Sequence, residues 1–144
     1  MRIAEILRRK GSDVTTVTPE TTVRGLLATL AERNIGAVVV SPDGVAIVGI
    51  VSERDVVRHL HRRGAALLDA AVSTIMTTDV RVCAPEDRVE GLRHIMTEHR
   101  IRHLPVVSGG RLVGIVSIGD VVKSALSELT TERQQLVDYV QGRY

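Results

Sequence analysis

The sequence predicts an α/β (α+β) fold: two pseudo-symmetric β-α-β-β-α repeats packed as one module, with a further helix at the C-terminus. Three observations lead there. Shifting the chain by 66 residues lays VTTVTPETTVRGLLATLAERNIGAVVV (14–40) over VRVCAPEDRVEGLRHIMTEHRIRHLPV (80–106); Pro19/Pro85, Glu20/Glu86, Val23/Val89, Gly25/Gly91, Leu26/Leu92, Glu32/Glu98 and Ile35/Ile101 coincide. A shift of 65 then lays VGIVSERDVVR (48–58) over VGIVSIGDVVK (113–123), matching at eight of eleven positions, the signature of a duplicated supersecondary unit. The aliphatic runs are apolar nearly throughout instead of alternating, as in strands covered on both faces.

Each repeat is read in the same order. A short strand, 14–17 or 80–83, runs into Thr-Pro-Glu or Ala-Pro-Glu, where the proline breaks the strand and the acid suits a helix start. The next helix carries Val23, Leu26, Leu27, Leu30 and Ala31 on one stripe, echoed by Val89, Leu92, Ile95 and Met96. The runs AVVV and VAIVGIV are separated by SPDG, and HLPVV and RLVGIV by SGG, the punctuation of strands joined by tight turns. A second helix follows Ser52 or Ser117. One copy alone would leave its sheet partly bare, so the two pack together. The expected divisions are a first repeat over 1–63 with an N-terminal helix, a linker over 64–72, a second repeat over 73–127, and an amphipathic helix over 128–144. In that last helix Leu136, Tyr139 and Val140 fall at helical spacing, and their stripe meets either its own chain or a second subunit. Two-fold closure of such exposed faces favours a homodimer.

Composition narrows the function. Apolar residues fill 44% of the 144 positions, enough for a core without metal or disulfide support. Trp and Phe are absent and Tyr occurs twice, so stacking platforms for single-stranded nucleic acid are missing. A net charge of +2, spread evenly over both halves, gives no long-range pull on nucleic acid. The helix RDVVRHLHRRG is a local exception, either a solvated basic face or an arm whose Arg54 reaches an anion at the helix start. Cys83 has no partner for a disulfide, and no Cys/His spacing resembles a metal site. The opening MRIAEILRRKG is too short and charged for a signal peptide, and no apolar run approaches the ~20 residues of a membrane span, so a cytoplasmic protein is expected.

The repeated GIVSxxD carries the chemistry. Ser52 and Asp55, like Ser117 and Asp120, stand three residues apart at a strand-to-helix junction. A capping box explains the serine well and the aspartate less well, because Glu or Gln spans that gap better. The same groups turned outward make a nucleotide site: free amides and a hydroxyl for phosphate, an ionised carboxylate for ribose hydroxyls. Cap and site are not exclusive. Occurring twice, each time with the same strand pair and preceding Pro-Glu helix, the motif favours a ligand.

On VTTVTPETTV, ERNIGAVVV and GIVSERDVVR in the first copy, and IMTTDVRVCAPEDRV, HRIRHLPVV and LVGIVSIGDVV in the second, the chain resembles tandem CBS domains, the pair called a Bateman module. The resemblance runs from about Ile3 to Ala125. It implies a disc-like dimer that binds adenosine compounds (AMP, ADP, ATP, NAD or S-adenosylmethionine) as regulatory ligands in clefts between the copies, with no catalytic cofactor. Carried over by position, it implies that Asp55 and Asp120 hold ribose hydroxyls and that Ser52 and Ser117 touch ribose or phosphate. Adenine would lie against Ile35-Gly36-Ala37 and Arg102-His103-Leu104-Pro105, bonding the backbone near Val14, Thr16, Val80 and Val82. Thr77 would touch the sugar and Arg54 a phosphate. The second copy has Ile118 and Gly119 where the first has Glu53 and Arg54, so its phosphate needs another cation, with Arg100, Arg102 and His103 as candidates; His103 reads equally well as a surface residue. Unequal sites are expected.

Two rival classes compete with this reading. Ser52, Asp55 and His59 permit a hydrolytic triad to be drawn, but a triad needs the His between nucleophile and acid, and Ser124 takes the His position in the second copy. No enzyme is expected. The alternative is a non-ligand-binding interaction module with vestigial clefts, acting on a protein partner through its dimer face.

Overall fold

In the computed structural model, which describes residues 1–143, local side-chain chemistry sets most element boundaries. Helix α1 (Ile3–Lys10) precedes a first repeat of β1 (Thr16–Val17), α2 (Val23–Arg33), β2 (Ala37–Val40), β3 (Gly49–Ser52) and α3 (Glu53–Arg63). Two short turns of 3-10 helix, Gly64–Asp69 and Val72–Thr74, lead to the second repeat of α4 (Val89–His99), β4 (His103–Ser108), β5 (Arg111–Ser117) and α5 (Ile118–Val140). Thr22 caps α2 by accepting the Gly25 N–H at 3.1 Å, so Pro19 and Glu20 form the turn before the helix instead of its first turn. Among the described residues no helix is long and apolar enough to cross a membrane.

Strand β1 runs parallel to β2, which runs antiparallel to β3, while β4 and β5 form a separate antiparallel pair. The strand expected over 80–83 contracts to one parallel bridge between Cys83 and Val106. Cys83 N–H donates to Pro105 O and Val107 N–H to Cys83 O, but the next bond upstream would need an N–H on Pro105. The first repeat has Val39 at that place, and there β1 forms. The run VAIVGIV also contributes less strand than expected. Asp43 Oδ1 accepts the N–H groups of Val45 and Ala46, both at 2.8 Å, which curls the chain until Gly49. The expected tail helix is likewise not separate: nothing between Asp120 and Val140 breaks helix, and α5 runs 23 residues without interruption.

Two cores result, and the chain crosses between them. Ile3, Ile6 and Leu7 of α1 join Cys83, Val89, Leu92, Met96, Leu104, Val106, Val116 and Val121 of the second repeat. Val72 and Ile75, from the segment before the second repeat, join Val17, Val23, Leu26, Val38, Val51 and Val56 of the first. The hydrogen bonds repeat this exchange: Val89 N–H to Met1 O at 3.0 Å and Ile3 N–H to Asp87 O at 3.0 Å, against Val23 N–H to Ala70 O at 2.9 Å and Val72 N–H to Thr21 O at 2.8 Å. Grouped by chain order with the first repeat, α1 lies in space on the second. The glycine of each GIVS makes room for this. A Cβ on Gly49 would stand 2.6 Å from Met76 Sδ, and one on Gly114 would stand 2.6 Å from Leu7 Cδ2.

Ile3 is fully buried in the second core although it is near the chain start. Ile3→Ala is expected to cost about 3 kcal/mol in urea unfolding. Hydrogen exchange should accelerate in β4 and β5 before β2 and β3; the reverse order would contradict the exchanged packing.

Candidate functional site

Each GIVSxxD ends a strand and opens a helix, and both form true capping boxes. Ser52 N–H donates to Asp55 Oδ2 at 2.9 Å, the Ser52 hydroxyl bonds the same oxygen at 3.2 Å, and Asp55 N–H returns to Ser52 Oγ at 3.4 Å. In the second repeat Ser117 N–H donates to Asp120 Oδ2 at 2.9 Å and Asp120 N–H to Ser117 Oγ at 3.2 Å. The strand starts are tied to the same junctions, Glu53 N–H to Gly36 O and Ile118 N–H to Arg102 O. The box uses one carboxylate oxygen. Asp55 Oδ1 is left free of hydrogen bonds to the described residues, and the side chain is half-buried at the wall of a cleft of about 660 Å3.

That cleft lies between the repeats. Its walls are Gly36, Ile50, Ser52, Glu53, Arg54, Asp55 and Arg58 from the first, Thr77, Asp79, Val80 and Arg81 from the connecting segment, and His99 through His103 from the second. Arg54, Arg58, Arg81, Arg100 and Arg102 outnumber Glu53, Asp55 and Asp79, so the cleft is positive around one fixed carboxylate. Arg100 holds a left-handed backbone at φ 55°, uncommon for a residue other than glycine, where α4 turns into the cleft wall; its counterpart Asn34 does the same at φ 53°. His103 is half-buried there. Burial, reinforced by the charges of Lys10 and Arg102, outweighs Asp120 and Glu53 and lowers its pKa, so the imidazole is neutral at pH 7.

Asp120 meets a different neighbour. Lys10 Nζ lies 2.7 Å from its Oδ2 and also donates to Ile115 O at 2.9 Å. Burial acts to raise the Asp120 carboxyl, but the Lys10 bond, the Ser117 N–H and the Lys10 charge together hold it below the ordinary Asp value. Ser52 and Asp55 bond each other with no imidazole between them, so the triad geometry is not formed. Cys83 is buried with its thiol pushed up to about 12 by burial and by Asp87, which makes it an inert core residue.

The CBS domain profile matches residues 3–62 and again 72–127, together most of the chain. The chain belongs to the CBS domain family. It is 34% identical over 150 residues to the mitochondrial CBS domain-containing protein CBSX3 of Arabidopsis thaliana, covering 99% of this chain and 73% of that one. Its fold matches the crystal structure of a CBS-domain containing protein from Agrobacterium tumefaciens with a TM-score of 0.84 at 43% identity, covering 87% of this chain and 99% of that chain. The CBS domain pair of protein MJ0100, solved with 5′-methylthioadenosine and S-adenosyl-L-methionine, shares the fold at a TM-score of 0.79 and 21% identity, over 89% of this chain and 98% of that one.

Of the CBS positions carried over from sequence, the cleft at Asp55 gathers Gly36, Ser52, Arg54, Asp55, Thr77, Val80, Arg102 and His103. Ala37 and Pro105 are buried in their strands, Val82 is exposed, and Val14 and Thr16 are half-buried, Thr16 in β1 and Val14 in the irregular chain before it, since the strand expected over 14–17 covers only Thr16–Val17. Ile35 lines a second groove on the outer face of α2 and α3 with Leu27, Leu30, Val56 and Val57. Ser117 and Asp120 sit at the second junction. The cations expected to serve that junction, Arg100, Arg102 and His103, line the Asp55 cleft, and His103, paired with Ser117 across β4 and β5, also feels the charges of Asp120 and Lys10. Arg81, Asp79 and His99 also line it and were not singled out by sequence; only the i, i+4 spacing of Arg54 and Arg58 signalled that Arg58 would be there.

Because the folded Asp120 carboxyl titrates below its unfolded value of ~3.9, its stabilising contribution is fully present above that pH and disappears as pH falls through the folded value. The melting-temperature gap between wild type and Asp120→Asn is therefore expected to be open at pH 7 and to close below about pH 4. A gap independent of pH would show that the carboxylate charge is not what the fold uses.

Proposed function

We propose that this CBS pair is a regulatory module that senses an adenosine nucleotide of the AMP, ADP, ATP or NAD class at the Asp55 cleft. The observation that carries the reading is a carboxylate with one oxygen free of hydrogen bonds to the described residues, on the wall of a cleft that five arginines also line. A ribose diol donates to such an oxygen, and phosphates pair with guanidinium groups, whose planar donors suit them better than ammonium. Ile50, Val80 and Ile101 supply apolar wall for a base between them. The surplus of arginines over acids favours a ligand with more than one phosphate. Binding bridges the two repeats, so it favours whichever arrangement of them closes on the ligand and passes that bias to a protein partner. No step of this requires turnover, and the protein acts without a catalytic cofactor.

The assembly is a homodimer. Leu27, Val57 and Leu60 on the outer faces of α2 and α3, and Leu126, Leu129, Leu136 and Val140 along α5, are exposed apolar side chains on helices, the kind of surface that two-fold pairing covers. Light scattering of the purified chain should give twice the monomer mass, and a monomer at micromolar concentration would reject this assembly.

Thermal melting with AMP, ADP, ATP, NAD and S-adenosylmethionine should show stabilisation that grows as RT ln(1 + [L]/Kd) for at least one of them. Asp55→Asn should weaken that ligand by about tenfold to a hundredfold, the loss of charge-assisted bonds, without lowering the unliganded melting temperature by more than a few degrees. If no adenosine compound shifts the melt, the module is an interaction scaffold whose cleft is empty of function.

A further inference from the structure

The two acids of the repeated motif are held in unlike surroundings, and the difference arrives from outside the repeats. Packed on the first repeat, the connecting chain leaves helical conformation after Thr74, and Thr77 then forms a two-way backbone bridge with Ile50, N–H to O in both directions at 2.9 Å. Packed on the second repeat, α1 stays helical to Lys10. The repeat equivalent of Ile50 is Ile115, and its carbonyl receives the Lys10 ammonium at 2.9 Å in place of a backbone bridge. The same ammonium lies 2.7 Å from Asp120 Oδ2, which already accepts the Ser117 N–H. Among the described residues no cation forms an ion pair with Asp55. Oδ1 accepts no hydrogen bond from the described residues in either aspartate; one extra turn of helix sets a neutralising ammonium on the capping oxygen of Asp120 and none on that of Asp55.

We propose that Lys10 blocks the Asp120 junction, neutralising the carboxylate that a ligand's hydroxyls would otherwise meet, so that each chain takes one adenosine ligand at Asp55 and binds at Asp120 at least about tenfold more weakly. This rests on the reading of the Asp55 cleft given above. A ribose arriving at Asp120 would have to replace an ion pair between opposite charges with bonds from uncharged hydroxyls, and the displaced ammonium would lose its carboxylate partner. Lys10 contributes little else: Ile3, Ile6 and Leu7 anchor α1 in the core, so removing the charge leaves the helix in place.

Adenosine itself is the right probe, because without a phosphate it gains nothing from a lysine. Calorimetric titration should give one site per chain for wild type and two sites within about threefold of each other for Lys10→Met, since a factor of ten is the expected effect of ~1.4 kcal/mol. Adding Asp55→Asn should weaken the single wild-type site by the same tenfold to hundredfold and leave one unweakened site in the Lys10→Met background. Two equivalent sites in wild type, or one site in Lys10→Met, overturns the proposal while leaving the cleft reading intact. So does AMP binding that weakens at the second site in Lys10→Met, which would make Lys10 a phosphate ligand. A carbon-detected titration of the Asp120 carboxyl needs no ligand: its midpoint should rise in Lys10→Met, and an unmoved midpoint overturns the proposal independently. Absence of adenosine binding in both proteins overturns the cleft reading, and with it the one-site count that rests on it.

Discussion

The exchange of closing segments between the repeats is the constraint on which the rest of the structure depends. Neither repeat completes its own core: α1 covers the second, and the Val72–Thr74 turn covers the first. The aliphatic strands are short, so each core needs those extra side chains to exclude water. Once both segments cross over, the repeats cannot separate without exposing Ile3, Ile6, Leu7, Val72 and Ile75. The cleft between them is therefore a permanent feature of the fold, positioned by core packing instead of by a flexible linker.

The same exchange gives the two copies of the motif unlike surroundings. Both GIVSxxD junctions are built from the same hydrogen bonds, and both aspartates give one oxygen to the cap. What differs is what the crossing segments bring with them. The connecting chain brings Thr77, Asp79, Val80 and Arg81 to the Asp55 cleft, whereas the N-terminal helix brings Lys10 to Asp120. The first junction carries Glu53 and Arg54 where the second carries Ile118 and Gly119, and the two differences reinforce each other. An acid on a cleft wall among arginines and an acid paired with a lysine are different electrostatic surroundings made from one motif.

Capping and ligand binding are often posed as alternatives for a Ser-x-x-Asp at a helix start; in the proposed function the Asp55 carboxylate divides between them. Oδ2 satisfies the backbone of the junction, which holds the side chain in one rotamer. Oδ1 is thereby presented in a fixed direction at little further entropic cost, the kind of preorganisation that binding favours. The choice of Asp over the longer Glu follows from this: a Glu reaches the cap easily, but its extra methylene would leave the second oxygen free to wander.

Local pattern in the chain determined the duplication, the order of elements, the two buried helix stripes and the capped junctions, because each depends on residues within a few positions of one another. It also pointed to Asp55, Ser52 and Arg54, whose spacing on one helix start is a local property. Contacts at long range were not legible. That the strand expected at 80–83 shrinks to a single bridge follows from a missing N–H on Pro105, a residue more than twenty positions away that matters only once the strands are aligned. That α1 belongs in space to the second core, that Arg81, His99 and Arg100 converge on the first acid, and that Lys10 meets Asp120 are consequences of the crossover. Periodicity tells a helix which face to bury, but not which of two similar cores will receive it; only the packed tertiary structure, where shape and volume at Gly49 and Gly114 are tested against Met76 and Leu7, decides that.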